Sequence, residues 1–131
     1  MQTMSDDAMR ALAKRFFDFV EAGDVDGLVS CYAPDARIWH NTDGLEQSPE
    51  DNRKTLQGMT QRIIDRVYDN RRLQVFPTGF VHQHVLCGTR KHDGVRLALE
   101  ACIVCQVVDG KITRLDEYFD SAQVAEFRKF A

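Results

Sequence analysis

Histidines and carboxylates are the side chains here best suited to moving a proton, and several fall in stretches that read as β-strand. His40 lies in ARIWHN, and His82 and His84 in FVHQHVLCGTR. Glu100 and Glu117 lie in LALEACIVCQVV and KITRLDEYFD, two runs joined by Asp109-Gly110. An imidazole with its ordinary pKa near ~6.5 suits proton transfer around neutrality. A carboxyl in apolar surroundings has its pKa raised and can act as acid or base, or orient a histidine. Their geometry starts from the turn, because two apolar, β-branched runs around Asp-Gly are a strong hairpin signal. A two-residue turn pairs Val108 with Lys111, Val104 with Leu115, Cys102 with Glu117 and Glu100 with Phe119. Paired residues share a face, so Glu100, Cys102, Val104, Leu115, Glu117 and Phe119 are expected on one surface. That surface is mostly apolar yet holds two carboxylates.

His82 and His84 share a face of their strand, and the following turn decides which. A two-residue Asp93-Gly94 loop turns them away from the Glu117 surface, whereas a three-residue His92-Asp93-Gly94 loop turns them into it. His-x-His on a strand can chelate, but no HxxxH or similar ligand spacing accompanies it, and no metal is expected. Cys102 and Cys105 imitate CxxC, yet at a spacing of three within a strand they point to opposite faces. The four cysteines read as small buried apolar residues. No P-loop, dinucleotide fingerprint or G-x-S-x-G occurs, so the expected chemistry uses no cofactor. Each candidate also has a scaffold alternative: His40 bonding a neighbouring strand, or a glutamate paired to an arginine at a cavity mouth.

The chain that must position these groups has 131 residues, 44% hydrophobic and 28% charged, with formal net charge −3. That is the length of one domain with a real core. The charge gives no footprint for nucleic acid. No apolar run reaches the roughly 20 residues of a membrane span, and no signal-peptide h-region opens the sequence. A cytoplasmic location is expected, with neither nucleic acid nor membrane as partner.

Ser5 followed by Asp6 and Asp7 starts a helix whose Met9, Leu12, Ala13, Phe16 and Val20 face the core, ending at Ala22-Gly23. Asp24 caps a short second helix through Tyr32, and Ala36 to Asn41 reads as a strand. Ser48-Pro49-Glu50-Asp51 opens a third helix with a stripe of Leu56, Met59, Ile63, Ile64 and Val67. Its arginines, including Arg62 and Arg66, read as a solvated face. Strands follow at Arg72 to Phe76, Phe80 to Arg90 and the long hairpin, and a last helical segment begins at Ser121. The order predicts an α+β domain.

Two segments resemble a known superfamily. EAGDVDGLVSCYAPDARIWHN, from Glu21 to Asn41, resembles bacterial ketosteroid isomerases, and VVDGKITRLDEYFD resembles the end of limonene-epoxide hydrolases. Both families are nuclear transport factor 2-like, or SnoaL-like, proteins. The resemblance implies a cone: a curved mixed sheet, three helices from the N-terminal half on its concave side, and a deep apolar pocket. It places His40 at the isomerase's general-base position, Phe16 and Val104 at its oxyanion-hole positions, and Glu117, His84 and Leu86 at the hydrolase's Asp, Arg and Asp. Neither catalytic set is intact, so neither parent activity carries over whole. The expectation is acid–base chemistry, of isomerase, lyase or hydrolase type, on a small apolar molecule such as a steroid, polyketide, terpenoid or aromatic. His40 is the expected base, with Glu117 and His84 as partners. Phe16, Trp39, Met59, Glu100, Cys102, Val104 and Phe119 are expected around the substrate. The alternative is a ligand-binding or assembly module without catalysis. An outer sheet face carrying Leu97, Leu99, Ile103 and Val107 predicts a homodimer.

Overall fold

Local signals set most element ends. The Ser5 side chain accepts a hydrogen bond from the Ala8 N–H at 3.1 Å and starts α1 (Asp6–Ala22). Gly23, at φ 74°, closes it in the left-handed conformation that glycine adopts without strain. Asp24 caps α2 (Val25–Val29), and Ser48 forms a capping box with Asp51 at the head of α3 (Pro49–Arg62). The strands are β1 (Tyr32–His40), β2 (Glu46–Gln47), β3 (Ile63–Phe76), β4 (Gly79–Arg90), β5 (Arg96–Val108) and β6 (Lys111–Phe119). Asp120 caps α4 (Ser121–Arg128). The structure, a computed structural model, describes residues 4–131.

The strands form one six-stranded sheet in the order β2-β1-β6-β5-β4-β3. It is mixed, because β1 runs parallel to β6 while the other neighbours are antiparallel. The sheet curls without closing, and α1 lies across β3 and β4 on its inner face. The α+β architecture with N-terminal-half helices on a curved mixed sheet is therefore as the sequence predicts. Among the described residues no helix is long and apolar enough to cross a membrane.

Two helix–strand boundaries differ from expectation. Tyr32 opens β1 instead of closing a helix, and the Ala33-Pro34-Asp35 stretch is taken up as an irregularity in the β1–β6 pairing. The third helix stops at Arg62, because Ile63, Ile64 and Val67 are β-branched and continue as strand. Asp65 and Asn70 take positive φ (52° and 55°) where β3 bulges against β4. Short polar side chains tolerate that conformation, and such bulges bend a strand.

The hairpin register departs in one place, with large consequences. Asp109 (φ 50°) and Gly110 (φ 79°) do form the tight turn, and Val108 pairs with Lys111. A bulge then follows: Val107 pairs with Ile112 but Gln106 with Arg114, leaving Thr113 as the extra residue. Beyond it Cys105 faces Leu115, Ile103 faces Glu117 and Ala101 faces Phe119. A one-residue slip exchanges the faces. Leu97, Leu99, Ile103, Cys105 and Val107 are buried in the core, not displayed on the outer surface. Glu100, Cys102 and Val104 face outward, opposite Glu117. The β4–β5 connection is a third case, neither two nor three residues: Arg90 N–H donates to Val95 O around a loop of Lys91 to Gly94. With the register of β5 corrected, His82 and His84 turn inward.

Candidate functional site

The parallel pairing of β1 with β6 sets His40 beside Glu117 in register. Both side chains point inward, and His40 Nε2 lies 3.3 Å from Glu117 Oε1 with the side chains only 12% and 14% exposed. The imidazole also stacks on Phe119, ring centroids 5.7 Å apart and planes within 13°. Burial presses the His40 pKa down, but the contact with Glu117 and its charge outweigh burial and hold it above the ordinary value near 6.5. Asp43 adds in the same direction, and Arg128 opposes.

Two connected hollows meet at this pair. One, of about 130 Å³, is walled by Leu56, Met59, Leu86, Leu99, Phe119 and Phe127, with Arg62 and Arg128 also on its lining. The other, of about 50 Å³, runs deeper between Phe16, Leu28, Ile38 and Ile103. His40, Glu117, Asn52, Leu56 and Tyr68 belong to both. Tyr32 borders the deeper part, and its hydroxyl donates to Asn52 Oδ1 at 2.9 Å. Asn52 Nδ2 donates in turn to Gln47 Oε1 at 3.2 Å. The Tyr68 hydroxyl has no hydrogen-bond partner among the described residues and sits close enough to Glu117 to feel its charge. Burial first, and that charge second, push the Tyr68 phenol far above its ordinary pKa, so it stays a neutral donor.

The expected residues divide plainly. His40, Glu117, Phe16, Met59 and Phe119 come together on this cavity. Trp39 does not, because neighbours on a strand alternate: it lies on the other face, edge-on to Tyr118 at 5.3 Å. Glu100 and Cys102 line a wider open groove of about 790 Å³ with Arg72, Gln83 and Tyr118, and Val104 shares their face. That groove is larger and His84 borders it, but His84 is only 4% exposed and, among the described residues, touches no carboxylate. His84 is inward yet elsewhere: it packs with His82 against Phe17 and Tyr68, away from the cavity walls. The His82 and His84 Nδ1 atoms lie 2.8 Å apart. Burial, with Arg71 and, for His84, its neighbour His82, drives their pKa values down to about 4 and about 3. Among the described residues no cluster of three His, Cys, Asp or Glu side chains could hold a metal.

Sequence reasoning missed Tyr32, Tyr68, Asn52 and Arg62. One signal was available: Asn52, Leu56 and Met59 follow i, i+4, i+7 spacing, so Asn52 continues an apolar stripe and must satisfy its amide indoors. Tyr32 and Tyr68 were hidden because both fall at misplaced helix–strand boundaries.

A family profile described as a SnoaL-like domain matches residues 13–115. Among solved structures the chain is similar to a candidate polyketide cyclase from Xanthomonas campestris, at 18% identity over 90% of this chain and 94% of that one (TM-score 0.81). It is also similar to a candidate isomerase from Bacillus subtilis, at 11% identity over 98% of each chain (TM-score 0.82). An LEH-like epoxide hydrolase from M. tuberculosis matches at 18% identity over 92% and 87% (TM-score 0.73). At these identities the likeness is one of fold. No curated protein matches the chain significantly.

Proposed function

We propose that this chain, which belongs to the SnoaL-like domain family, is a cofactor-independent acid–base enzyme acting on a small, largely apolar molecule. The observation that carries the reading is the His40–Glu117 contact at 3.3 Å on the wall of a cavity that Leu56, Met59, Leu86, Leu99 and Phe127 make mainly apolar, with Asn52, Arg62 and Arg128 also on its lining. Glu117 holds Nε2 and sets the tautomer, and the raised His40 pKa makes the imidazole a stronger base than a free one. Nδ1, which makes no protein hydrogen bond among the described residues, remains to take a proton from bound substrate. As the proton leaves carbon, charge builds on a conjugated oxygen, and the Tyr68 O–H is the neutral donor available to meet it. His40 then returns the proton at a second carbon, which is isomerisation, or to a departing hydroxyl, which is elimination. Apolar walls keep water from competing.

The cavity bounds the substrate. At about 130 Å³ with a 50 Å³ extension, it falls below the roughly 300–1,000 Å³ of drug-sized sites. It is close to the order of 150 Å³ that accommodates benzene. A single ring or a short terpenoid or polyketide fragment fits better than a steroid. The neighbours named for polyketide cyclisation, isomerisation and epoxide hydrolysis support chemistry of this breadth.

The test needs no knowledge of the product. In D2O with a panel of small cyclic enones, the wild-type protein should exchange α-protons faster than buffer, by NMR, and His40→Ala should not. A protein that binds the enones and exchanges nothing would instead be a binding module. The reading includes a second copy of the chain on the outer sheet face, where Trp39 and the 48%-exposed Tyr118 stand together. Light scattering should then give about twice the 15.0 kDa chain mass.

A further inference from the structure

The arginines of this chain differ in what they hold. Arg66 donates to the carbonyls of Val20, Glu21, Thr60 and Ile63. Arg71 pairs with Asp18 and Glu21, Arg90 with Asp93 and Glu126, and Arg114 with Glu46 and Asp116. Arg62 and Arg128 are in neither situation. Among the described residues neither has a carboxylate partner, and both line the His40 cavity. The Arg62 Nε is fully buried and has no hydrogen-bond partner among the described residues. A buried charged donor left unmade is costly, and such a group in a native structure calls for an explanation.

That nitrogen itself is closed to a ligand, but the Arg62 side chain is only partly buried and borders the cavity, as Arg128 does. Glu117, the one carboxylate on its wall among the described residues, is engaged by His40, and the two guanidiniums of Arg62 and Arg128 outnumber it, so the lining carries net positive charge. Arg128 is close enough for its charge to oppose protonation of His40. On the far side of Arg62 a further hollow of about 210 Å³ is bordered by Lys91 and Lys129, which extends the positive surface outward. A guanidinium fork matches a carboxylate in plane and charge.

We propose that the substrate carries a carboxylate, which Arg62 and Arg128 hold at the rim while its apolar body fills the cavity beside His40 and Tyr68. The substrate class is thus a small apolar acid, such as a monocyclic or short-chain carboxylate. The inference rests on the proposed catalytic use of the same cavity and adds a binding residue pair to it. Arg62 grips the anion from the inner side and Arg128 from the solvent side, so the acid enters with its ring leading. The reacting carbon is then the one the carboxylate's distance from the rim delivers to His40.

The test compares benzoate with its uncharged isostere benzamide, by isothermal titration and by the NMR shifts of the His40 ring. Wild type should bind benzoate at least about tenfold more tightly than benzamide, with both moving the His40 signals. Arg62→Gln should remove that preference while leaving benzamide affinity unchanged, and Arg128→Gln should reduce it. Equal wild-type affinity for the two probes, a measurement that needs no variant, overturns the inference and leaves the catalytic reading intact. So does a benzoate preference that survives in the Arg62→Gln/Arg128→Gln double variant. If neither probe binds or moves His40, the cavity reading fails and this inference with it.

Discussion

Two histidine sites lie on the inner face of the same sheet, and they behave oppositely. At one, His40 faces Glu117 across a parallel strand pair and opens onto a cavity. At the other, His82 and His84 face each other, with Phe17 stacked on His82 at 3.8 Å. Burial disfavours the charged imidazole at both. The partner decides the outcome: a carboxylate reverses the effect at His40, while a second histidine and Arg71 reinforce it at the pair. Depth alone therefore does not mark a catalytic histidine. What sets His40 apart is the carboxylate and the hollow beside it.

The largest effect expected from that contrast is on chemistry. His40→Ala should cut proton exchange by the roughly 10²–10⁴-fold that a general base supplies, whereas His84→Leu should act on folding. Tyr68→Phe should follow, with a loss of up to about 10²–10³-fold if the hydroxyl meets the developing oxyanion. An unchanged rate in Tyr68→Phe would remove it from the mechanism.

A smaller effect separates the sites by stability. His84→Leu alone orphans the His82 nitrogen and should cost about 1–3 kcal/mol by urea unfolding at pH 7. The double variant His82→Leu/His84→Leu removes both partners and should recover most of that loss. A double variant less stable than the single one would mean the pair is held by more than mutual satisfaction.

The pH dependence has opposite signs at the two sites. The pair's folded pKa values, about 4 and about 3, lie below the ordinary 6.5. The unfolded chain thus takes up protons first, and stability falls as pH drops from about 6.5 toward 3. His40, with its folded pKa raised, contributes stability that is full below about 6.5 and lost as pH rises through the folded value. Thermal melts across pH 4–8 should show acid sensitivity that the double leucine variant loses. The smallest effect belongs outside both sites: Glu100→Gln should stay within about 0.5 kcal/mol and leave proton exchange unchanged.

Much of the fold was legible because its signals are local. Ser5, Gly23, Asp24, Ser48 and Asp120 mark helix ends by side chains that act within one turn. His40 and Glu117 were legible as types on strands, and family resemblance singled them out. What failed was carrying one register too far. The Asp109-Gly110 turn does dictate the first pair, but Thr113 breaks the period two residues later. The sequence held a warning: Ile112 and Leu115 are three apart, which a period of two cannot place on one face. The β5 pattern held another, since Leu97, Leu99, Ala101, Ile103, Cys105 and Val107 form the more apolar alternate set, and Glu100 and Gln106 belong to the other. Tyr68 was not legible, because its inward direction depends on where α3 yields to β3.

The central claim is that Glu117 poises His40 for proton transfer, and an NMR titration of the histidine ring signals tests it most directly. In wild type His40 should titrate with a midpoint above 6.5, while His82 and His84 remain neutral down to about pH 5. In Glu117→Gln, with the opposing carboxylate gone and burial left unbalanced, the His40 midpoint should fall below 6.5. A His40 that titrates at the same pH in both proteins would contradict the account.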